Sequence, residues 1–333
     1  MPIRNERAVL PALLAALRDQ RGLADVRVTL CCFFDGCDDG SEAVVRAEAG
    51  GLALHNRAGP RHADANAGRA RGAAMALGLE ALGDGGGVLL STDADSRPAP
   101  DWIARALTSL ETCDVVAGLI RPDGGSADPA HDRLEAFYDR LYAHRRALDP
   151  VPWEPAPGHH YTGGANLAFR AQSYRALGGF RPLPSAEDAV LVDDAGRAGL
   201  RVRRDRSVGV FTSTRRDGRA PDGLAAWLRL HDALGGAALQ VGDPRAADWQ
   251  YLRHAAARAA FARLPERGAA AELGRLLALG ADHVIGVARD CPNGEAFAMR
   301  IVPAAPEAGR LMPLAEAERI LADLEGRDLG YAA

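Results

Sequence analysis

The sequence predicts an α/β protein in which helices flank a mostly parallel sheet and a largely helical region follows. Helical and strand patterns alternate through the first half of the 333 residues, as they do where helices connect parallel strands and cover both faces of a sheet. Residues 221–280 instead consist of alanine- and leucine-rich segments typical of helices. We therefore expect one domain over residues 1–220 and a mostly helical extension over residues 221–333.

The elements of the first half follow from the spacing of apolar residues and from turn signals. Val9, Leu13, Leu14 and Leu17 share one face of a predicted helix, and Gly22 follows it as a stop. Short apolar or β-branched runs predict buried strands, and alanine-rich or amphipathic segments between them predict helices. The predicted strands are VRVTLCCFF, VLLSTDAD and CDVVAGLIR, and the predicted helices are GSEAVVRAEAGG, ADANAGRARGAAMALGLEAL and PDWIARALTSLE.

The second half begins with an irregular region, residues 121–160, which contains one helix-like segment, RLEAFYDRLYAHRRAL. Ser185 precedes acidic residues in the pattern of a helix N-terminus, and Gly199 ends that helix before another strand. Near the C-terminus, DHVIGVARDCPNGEAFAMRIVPAA predicts two short strands around a turn. The segment PLAEAERILADLEG predicts a closing amphipathic helix.

Composition excludes several classes of function. The net charge of −4 argues against nucleic acid or an anionic membrane as the main partner. All 40 basic residues are arginine, which excludes a Walker-type phosphate loop, a pyridoxal Schiff base and a kinase-like lysine. The five cysteines form no CxxC pair, so we expect reduced, mostly buried thiols. No segment has the roughly 18 apolar residues of a spanning helix, and no signal peptide is recognisable, so we expect a cytoplasmic protein.

Carboxylates directly follow two of the predicted strands. Asp35 comes after VTLCCFF, and Asp93 and Asp95 come after VLLST. Ligands bind beyond the carboxyl ends of the strands in such sheets, so we expect these acids at one site. Two carboxylates separated by one residue suit Mg²⁺ or Mn²⁺, which keep waters and bridge substrate phosphates. Taken alone, such a pair is more often found as acids in a turn.

A series of segments in a fixed order resembles the motifs of one protein family. In chain order they are MPIRNE, FFDGCDDGS, ADANAGRARGAAM, STDADSRPAPDW, TGGANLAFRAQSYRALGGF and SAEDAVLVDDAGRAGLRV. Over residues 1–216 the chain resembles the inverting glycosyltransferases of family 2. The resemblance implies a GT-A fold and a metal-dependent transfer of a sugar from a UDP- or GDP-sugar to an acceptor hydroxyl. The QxxRW pattern of processive members is not found, so we expect a non-processive enzyme.

The resemblance implies a role for each acidic residue of these motifs. Asp35 matches the carboxylate that hydrogen-bonds the nucleotide base. Asp93 matches a residue that contacts the ribose or the metal-bound waters, and Asp95 matches the direct metal ligand. Asp188 matches the catalytic base that takes the proton from the acceptor hydroxyl, as a single in-line displacement requires. Glu187 is expected either to orient the acceptor or to cap the helix.

The resemblance also implies positions that contact the sugar donor. Arg71, and Arg69 beside it, lie where the family places a basic residue near the diphosphate, and a guanidinium fork suits phosphate oxygens. The small residues of the TGGAN segment allow close approach of the backbone to the ligand. The remaining donor-binding positions are Pro2, Arg4, Asn5, Glu6, Ala94, Gly164, Ala165, Asn166, Arg215 and Arg216.

Structural interpretations remain open for several of these residues. Asp35 also fits a turn before a glycine, and Arg69 and Arg71 also fit a solvated helix face. The pair His159 and His160 lies beside prolines, which is more typical of a surface loop than of a metal site.

Some features depart from the family pattern or leave alternatives open. The family's first strand should precede MPIRNE, so here either the strand is truncated or the true start lies upstream of Met1. The alternative functions are a catalytically inactive module that binds a nucleotide sugar or a partner, and a sugar-1-phosphate nucleotidyltransferase. The latter depends on a lysine that this sequence lacks. The acceptor is unknown, and residues 221–333 are expected to cap it, to form an oligomer interface such as that of a homodimer, or both.

Overall fold

The computed structural model describes residues 1–62, 66–124, 128–218, 225–226, 228–229, 232, 239–264 and 266–328. The chain folds into two compact units. The first comprises Met1–Ser126, Tyr161–Asp193 and Val202–Asp232, and the second comprises Ala127–His160, Asp194–Arg201 and Ala233–Ala333.

Two sheets form the framework of the first unit. Strands β1, β2 and β3 form a parallel sheet in that order. The other strands form a mixed sheet of order β4-β7-β6-β8-β5, in which β6 and β8 are parallel and the remaining pairs are antiparallel. The strands are β1 (Pro2–Ile3), β2 (Thr29–Asp35), β3 (Ala53–Gly59), β4 (Val88–Ser91), β5 (Ser96–Pro98), β6 (Val115–Pro122), β7 (Leu167–Arg170) and β8 (Val202–Thr212).

The strand ends determine where the predicted acidic residues lie. Asp35 is the last residue of β2. Strand β1 pairs with the end of β2, with Pro2 opposite Phe33, so the N-terminal motif lies at the same edge of the parallel sheet. Strand β1 spans two residues. Asp93 follows the end of β4 by two residues.

Helices pack on these sheets and form most of the second unit. The first helix buries Leu10, Leu13 and Leu14 in the same core cluster as Phe34 of β2, and each such leucine contributes about 1.5–3 kcal/mol. In chain order the helices are α1 (Leu10–Arg18), α2 (Ser41–Glu48), α3 (Ala67–Leu82), α4 (Trp102–Ser109), α5 (Pro129–Leu148), α6 (Ala171–Ala176), α7 (Glu187–Arg197), α8 (Pro244–Phe261), α9 (Arg267–Leu277), α10 (Ala281–Arg289), α11 (Gly294–Ile301) and α12 (Leu314–Asp328).

The N-terminus of α3 is fixed by two residues of the ADANAGRARG segment. The Asn66 side chain accepts a hydrogen bond of 2.7 Å from the Arg69 backbone N–H, which satisfies a helix N-terminal donor. Gly68 packs directly on the segment before α7, because a Cβ there would lie 2.0 Å from the Arg181 carbonyl oxygen. Only glycine allows this approach, and it brings α3 close to the start of α7.

The second unit is helical where two strands were predicted. Residues 281–301 form α10 and α11, and the Asn293 side chain caps α11 by accepting a 3.0 Å hydrogen bond from the Ala296 N–H. Val284 and Phe297 are fully buried in the core of this unit. The strand prediction was wrong because short apolar runs do not distinguish a strand from a buried helical turn. A short antiparallel pair, β9 (Gln240–Gly242) and β10 (Leu311–Pro313), completes the described part of this unit. The predicted α/β class with a helical C-terminal region is confirmed.

Two further expectations concern the chain as a whole. Among the described helices, none combines the length and apolar character needed to cross a bilayer. All five cysteines are free, and Cys32, Cys113 and Cys291 are buried, in agreement with the predicted reduced thiols.

Candidate active site

The first unit contains a cavity of about 620 Å³ at the strand ends that carry the predicted site residues. This volume is typical of small-ligand sites. The cavity brings together Asp95 and Asp188, which are far apart in the sequence. Most of the positions predicted from the sequence line it, namely Pro2, Arg4, Glu6, Asp35, Arg71, Asp93, Ala94, Asp95, Gly164, Ala165, Glu187, Asp188 and Arg215.

Asp35 presents a carboxylate oxygen with an unmet hydrogen-bonding capacity. The residue is 4% exposed, and its Oδ2 accepts a long hydrogen bond of 3.4 Å from Arg4 Nη1. Its Oδ1 is buried and has no hydrogen-bond partner within the part of the chain that the structure describes. An unpaired buried carboxylate oxygen is unfavourable, so an N–H donor of a bound ligand would stabilise it.

Arg71 connects segments that are distant in the sequence. Its Nε donates to Glu187 Oε1 at 2.9 Å, and its Nη1 donates to Asp93 Oδ1 at 2.8 Å and to Ser91 Oγ at 3.1 Å. Burial lowers the pKa of this guanidinium, but the attraction of Asp93 and Glu187 outweighs burial and raises it. The interpretation of Arg71 as a residue on a solvated helix face is wrong, because it is 6% exposed.

Gly164 links this arginine to the second acid of α7. The Gly164 carbonyl accepts hydrogen bonds from Arg71 Nη1 at 2.9 Å and from Ser91 Oγ at 2.7 Å. The Gly164 N–H donates to Asp188 Oδ2 at 2.7 Å. A Cβ at Gly164 would lie 2.4 Å from Arg71 Cζ, so a side chain there would displace the guanidinium.

The two acids at the start of α7 have different environments. Glu187 is 3% exposed and forms an ion pair with Arg71. Burial raises the pKa of Glu187, the charge of Asp188 adds to the rise, and Arg71 opposes it. Asp188 is half-buried, and its carboxylate lines the cavity. Ala186, just before them, has a left-handed φ of 58°, a strained conformation of the kind that collects at functional sites.

A second arginine, Arg215, lies beside Asp95 in the acidic motif that follows β4. Arg215 donates to both carboxylate oxygens of Glu6, and its Nη2 lies 3.1 Å from Asp95 Oδ2. The Arg215 side chain is 23% exposed, compared with 8% for Arg71. Burial, together with the charges of Asp93 and Glu6, raises the pKa of Asp95 to about 6 against the opposing effect of Arg215.

Asp93 and Asp95 are the predicted ligands of a divalent cation, and both line the cavity. Among the described residues, no group of three or more His, Cys, Asp or Glu side chains is arranged to hold a metal ion. Magnesium, however, is usually bound through one or two carboxylates and completes its shell with water and substrate phosphate oxygens. A cation beside Asp95 would offset the burial and the charges of Asp93 and Glu6 that raise the pKa of this carboxyl. Asp93 and Asp95 are the carboxylates that Mg²⁺ or Mn²⁺ would use here together with a bound diphosphate.

Asn166 does not belong to the lining of the cavity, although it was predicted to contact the sugar donor. Its Oδ1 accepts a hydrogen bond of 2.8 Å from Trp102 Nε1, and its Nδ2 donates to the carbonyls of Leu119 and Val208 at 2.9 and 2.8 Å. The amide is 2% exposed. This side chain therefore fixes the 163–166 segment against the mixed sheet, and the predicted positions of this segment that line the cavity are Gly164 and Ala165.

Asn5, Arg69 and Arg216 also lie outside the lining of the cavity. The Asn5 amide exchanges hydrogen bonds with Asp38, donating at 2.8 Å and accepting from its N–H at 3.0 Å. Arg69 is half-buried in the first turn of α3. Arg216 pairs with Asp232 at 2.9 Å on the surface.

The two histidines before the TGGAN segment belong to the second unit. His159 is fully buried, so the surface-loop interpretation is wrong for this residue. His160 is half-buried and lies 3.0 Å from Asp139 and 3.5 Å from Glu135.

Sequence reasoning missed two residues that shape the site. Ser91 supplies one of the hydrogen bonds to the Gly164 carbonyl, and Trp102 holds Asn166. Ser91 precedes Asp93 by two residues, so the alternation along a strand was a signal that both side chains share one face. The hydrogen bond from Trp102 to Asn166 had no such signal, since Trp102 lies on α4 and Asn166 lies just before β7.

Comparisons with known proteins place the geometry in context. A family model described as "Glycosyl transferase family 2" matches residues 1–172 of the 333. No curated protein matches the sequence.

Several solved structures are similar to the chain. S. aureus TarS 1–349 in complex with UDP-GlcNAc has a TM-score of 0.51 at 14% identity, with 90% of this chain and 88% of that chain covered. The mannosyltransferase PcManGT from Pyrobaculum calidifontis, in complex with GDP-Man and Mn²⁺, has a TM-score of 0.49 at 20% identity, with 97% and 78% covered. The glucosyl-3-phosphoglycerate synthase from Mycobacterium tuberculosis, in complex with Mn²⁺, UDP-glucose and phosphoglyceric acid, has a TM-score of 0.44 at 20% identity, with 72% and 81% covered.

Proposed function

The chain belongs to glycosyl transferase family 2, and from that premise we propose that it transfers a sugar from a nucleotide-diphosphate donor to an acceptor hydroxyl, with inversion and without processive synthesis. It has the GT-A fold and is a glycosyltransferase. The observation that carries the proposal is that Asp95 and Asp188, the proposed cation ligand and base, line one cavity with Asp35 and Arg215.

The sugar donor is proposed to bind along the strand ends. Asp35 Oδ1, buried and without a partner among the described residues, accepts an N–H of the nucleotide base. Arg215 is the more exposed of the two arginines beside the acidic motif and is placed to contact the diphosphate. The similar structures hold UDP-GlcNAc, UDP-glucose and GDP-Man, and a UDP- or GDP-sugar is therefore the proposed donor.

The proposed metal is Mg²⁺ or Mn²⁺, held by Asp95 with Asp93. Two of the similar structures contain Mn²⁺ together with a nucleotide sugar. When bound, the cation neutralises charge on the departing nucleoside diphosphate. The cavity favours a bound cation, because its lining has more carboxylates than guanidinium groups.

Asp188 is the proposed base. Inversion by one in-line displacement requires a carboxylate that takes the proton from the acceptor hydroxyl as its oxygen bonds to the anomeric carbon. The bond from that carbon to the diphosphate oxygen breaks in the same step, and the nucleoside diphosphate leaves. Asp188 is better placed for this than Glu187, because Glu187 is buried and paired with Arg71.

The rest of the chain is assigned more broadly. We propose that residues 1–220 carry out the chemistry and that residues 221–333 cap the acceptor or form a homodimer interface. The proposed location is the cytoplasm.

The test is turnover of UDP- and GDP-sugars with and without Mn²⁺, in the unsubstituted chain and in Asp188→Asn. We expect this substitution to lower the rate of transfer or donor hydrolysis by about 10²- to 10⁴-fold, as loss of a general base does. Affinity for the sugar donor, measured by calorimetry, should stay within about threefold, because the amide keeps the shape of the site.

Asp101→Asn is the matched control, since Asp101 is an exposed acid of the same unit that pairs with Arg105. Unchanged turnover in Asp188→Asn would remove this residue from the role of base. Binding of nucleotide sugars without any turnover would favour an inactive binding module.

A further inference from the structure

Arg71 is the residue at which three motif segments of the site meet. It lies on α3 and contacts Asp93 after β4, Gly164 before β7 and Glu187 at the start of α7, all at 2.8–2.9 Å. Its side chain is 8% exposed. A planar guanidinium holds such acceptors in fixed directions, which a lysine ammonium does not do.

These contacts lead to Asp188 in two steps. Arg71 and Ser91 hold the carbonyl oxygen of Gly164, and the N–H of the same residue donates to Asp188 Oδ2. Both polar backbone atoms of Gly164 are therefore fixed, one by the arginine and one by the proposed base. A shift of the guanidinium would move Gly164 and change the direction of the Asp188 carboxylate.

The same contacts give the two acids of α7 different environments. Both acids line the cavity, but Glu187 is buried and paired with Arg71, whereas Asp188 is half-buried. A diphosphate that bound Arg71 would have to compete with Glu187 and Asp93 for its Nε and Nη1 donors. Arg215 also has carboxylate partners, Glu6 and Asp95, but its side chain is 23% exposed and therefore more accessible to a diphosphate.

We propose that Arg71 is a positioning residue for sugar transfer: it orients Asp188 through Gly164 and fixes Glu187 as its ion-pair partner. This inference rests on the proposed function. It replaces the expectation that Arg71 binds the diphosphate.

The first test compares kcat and the KM for the nucleotide sugar in Arg71→Met and Arg71→Lys. We expect kcat to fall by about 100-fold in Arg71→Met, the loss that a small misplacement of a reacting group produces. The KM for the sugar donor should change by less than about threefold. Arg71→Lys should recover less than about a tenth of kcat, since charge without the fork does not hold the acceptors.

Arg57→Met is the matched control. Arg57 of β3 pairs at 2.9 Å with Glu80 of α3, the helix that carries Arg71. Its side chain is 55% exposed and does not line the cavity. We expect both kinetic parameters to stay within about twofold of the unsubstituted chain.

Ser91→Ala keeps the test decisive if Arg71→Met does not fold. This substitution removes one of the two hydrogen bonds on the Gly164 carbonyl and leaves every charge in place. We expect kcat to fall by roughly tenfold with the donor KM unchanged, because the substitution removes the hydrogen bond from Ser91 to the Gly164 carbonyl and the one that Ser91 accepts from Arg71.

Several results would overturn the inference. A large increase in donor KM with kcat retained in Arg71→Met would make Arg71 a phosphate ligand. Full kcat in Arg71→Lys would show that charge alone suffices, and full kcat in Ser91→Ala would show that Gly164 needs no fixing. If the unsubstituted chain turns over no nucleotide sugar, the proposed function fails and the inference fails with it. If it does turn over and Arg71→Met retains its kcat, only the inference fails.

Discussion

In the first unit, Arg71 and Arg215 hold carboxylates that line a cavity, whereas in the second unit Arg146 and Arg258 hold carboxylates that the unit itself encloses. Asp149, which is 2% exposed, contacts Arg258 and lies 3.5 Å from Arg146. Arg146 also pairs with Glu154 at 3.1 Å, and Arg258 with Glu295 at 2.7 Å.

The difference is in how completely the buried charges are balanced. In the second unit each of these carboxylates pairs with an arginine, as buried ions require. Around the cavity, Asp35 keeps a buried oxygen without a partner among the described residues, and the pKa of Asp95 is raised to about 6. The buried carboxylates of the scaffold are therefore paired, whereas unbalanced charge at a cavity indicates the place of a ligand.

The largest effect that we expect is on stability, from Arg258→Met in the second unit. Arg258 contacts both Asp149 and Glu295, so this change removes an ion pair from each of the two carboxylates. Breaking a buried pair costs about 3–5 kcal/mol. Urea unfolding measures the loss. Arg263→Met, at an exposed arginine of the same unit, should change the free energy of unfolding by less than about 0.5 kcal/mol. Equal stability of the two variants would contradict the comparison.

A smaller effect, on turnover rather than on stability, is expected from Asp95→Ala. Mn²⁺-stimulated turnover should fall by roughly 100-fold, as removal of a metal ligand predicts. The melting temperature should not fall, because the raised pKa shows that ionised Asp95 is unfavourable in the folded chain. Asp123→Ala, at an exposed acid paired with Arg97, is the control. A site that keeps its metal response without Asp95 would require another ligand.

The smallest effect that we expect is the pH dependence of the second unit. Burial, together with the charges of Arg145 and Arg258, lowers the pKa of His254 to about 3. In the unfolded chain this pKa is about 6.5, so below that pH the unfolded state binds the extra proton. The free energy of unfolding should therefore fall by roughly 1–2 kcal/mol between about pH 7 and pH 5. In His254→Gln the urea midpoint should depend less on pH, and an identical dependence would exclude His254 as the cause.

The acidic residues of the site were predictable because each depends on local sequence. Asp35 ends a strand, and Asp93 follows one by two residues, so their place at the sheet edge follows from chain order and parallel pairing. The motif order identified the family correctly.

The environment of Arg71 was not predictable in the same way. Whether an arginine on α3 faces water or the interior depends on Glu187 and Gly164, which are distant in sequence and reach it only in the folded unit. Helical periodicity describes one element and gives no information on the partner that neutralises a charge. The burial of His159 was missed for the same reason.

Because glycine has no side chain, Gly164 limits how this enzyme can be re-engineered. Grafting residues 161–166 from another transferase would place any larger residue at that position against the guanidinium, 2.4 Å from its central carbon. A chimera must therefore transplant α3 and the start of α7 as a block with this loop. Libraries that vary the cavity should leave those three segments intact and diversify Ile120 on its wall.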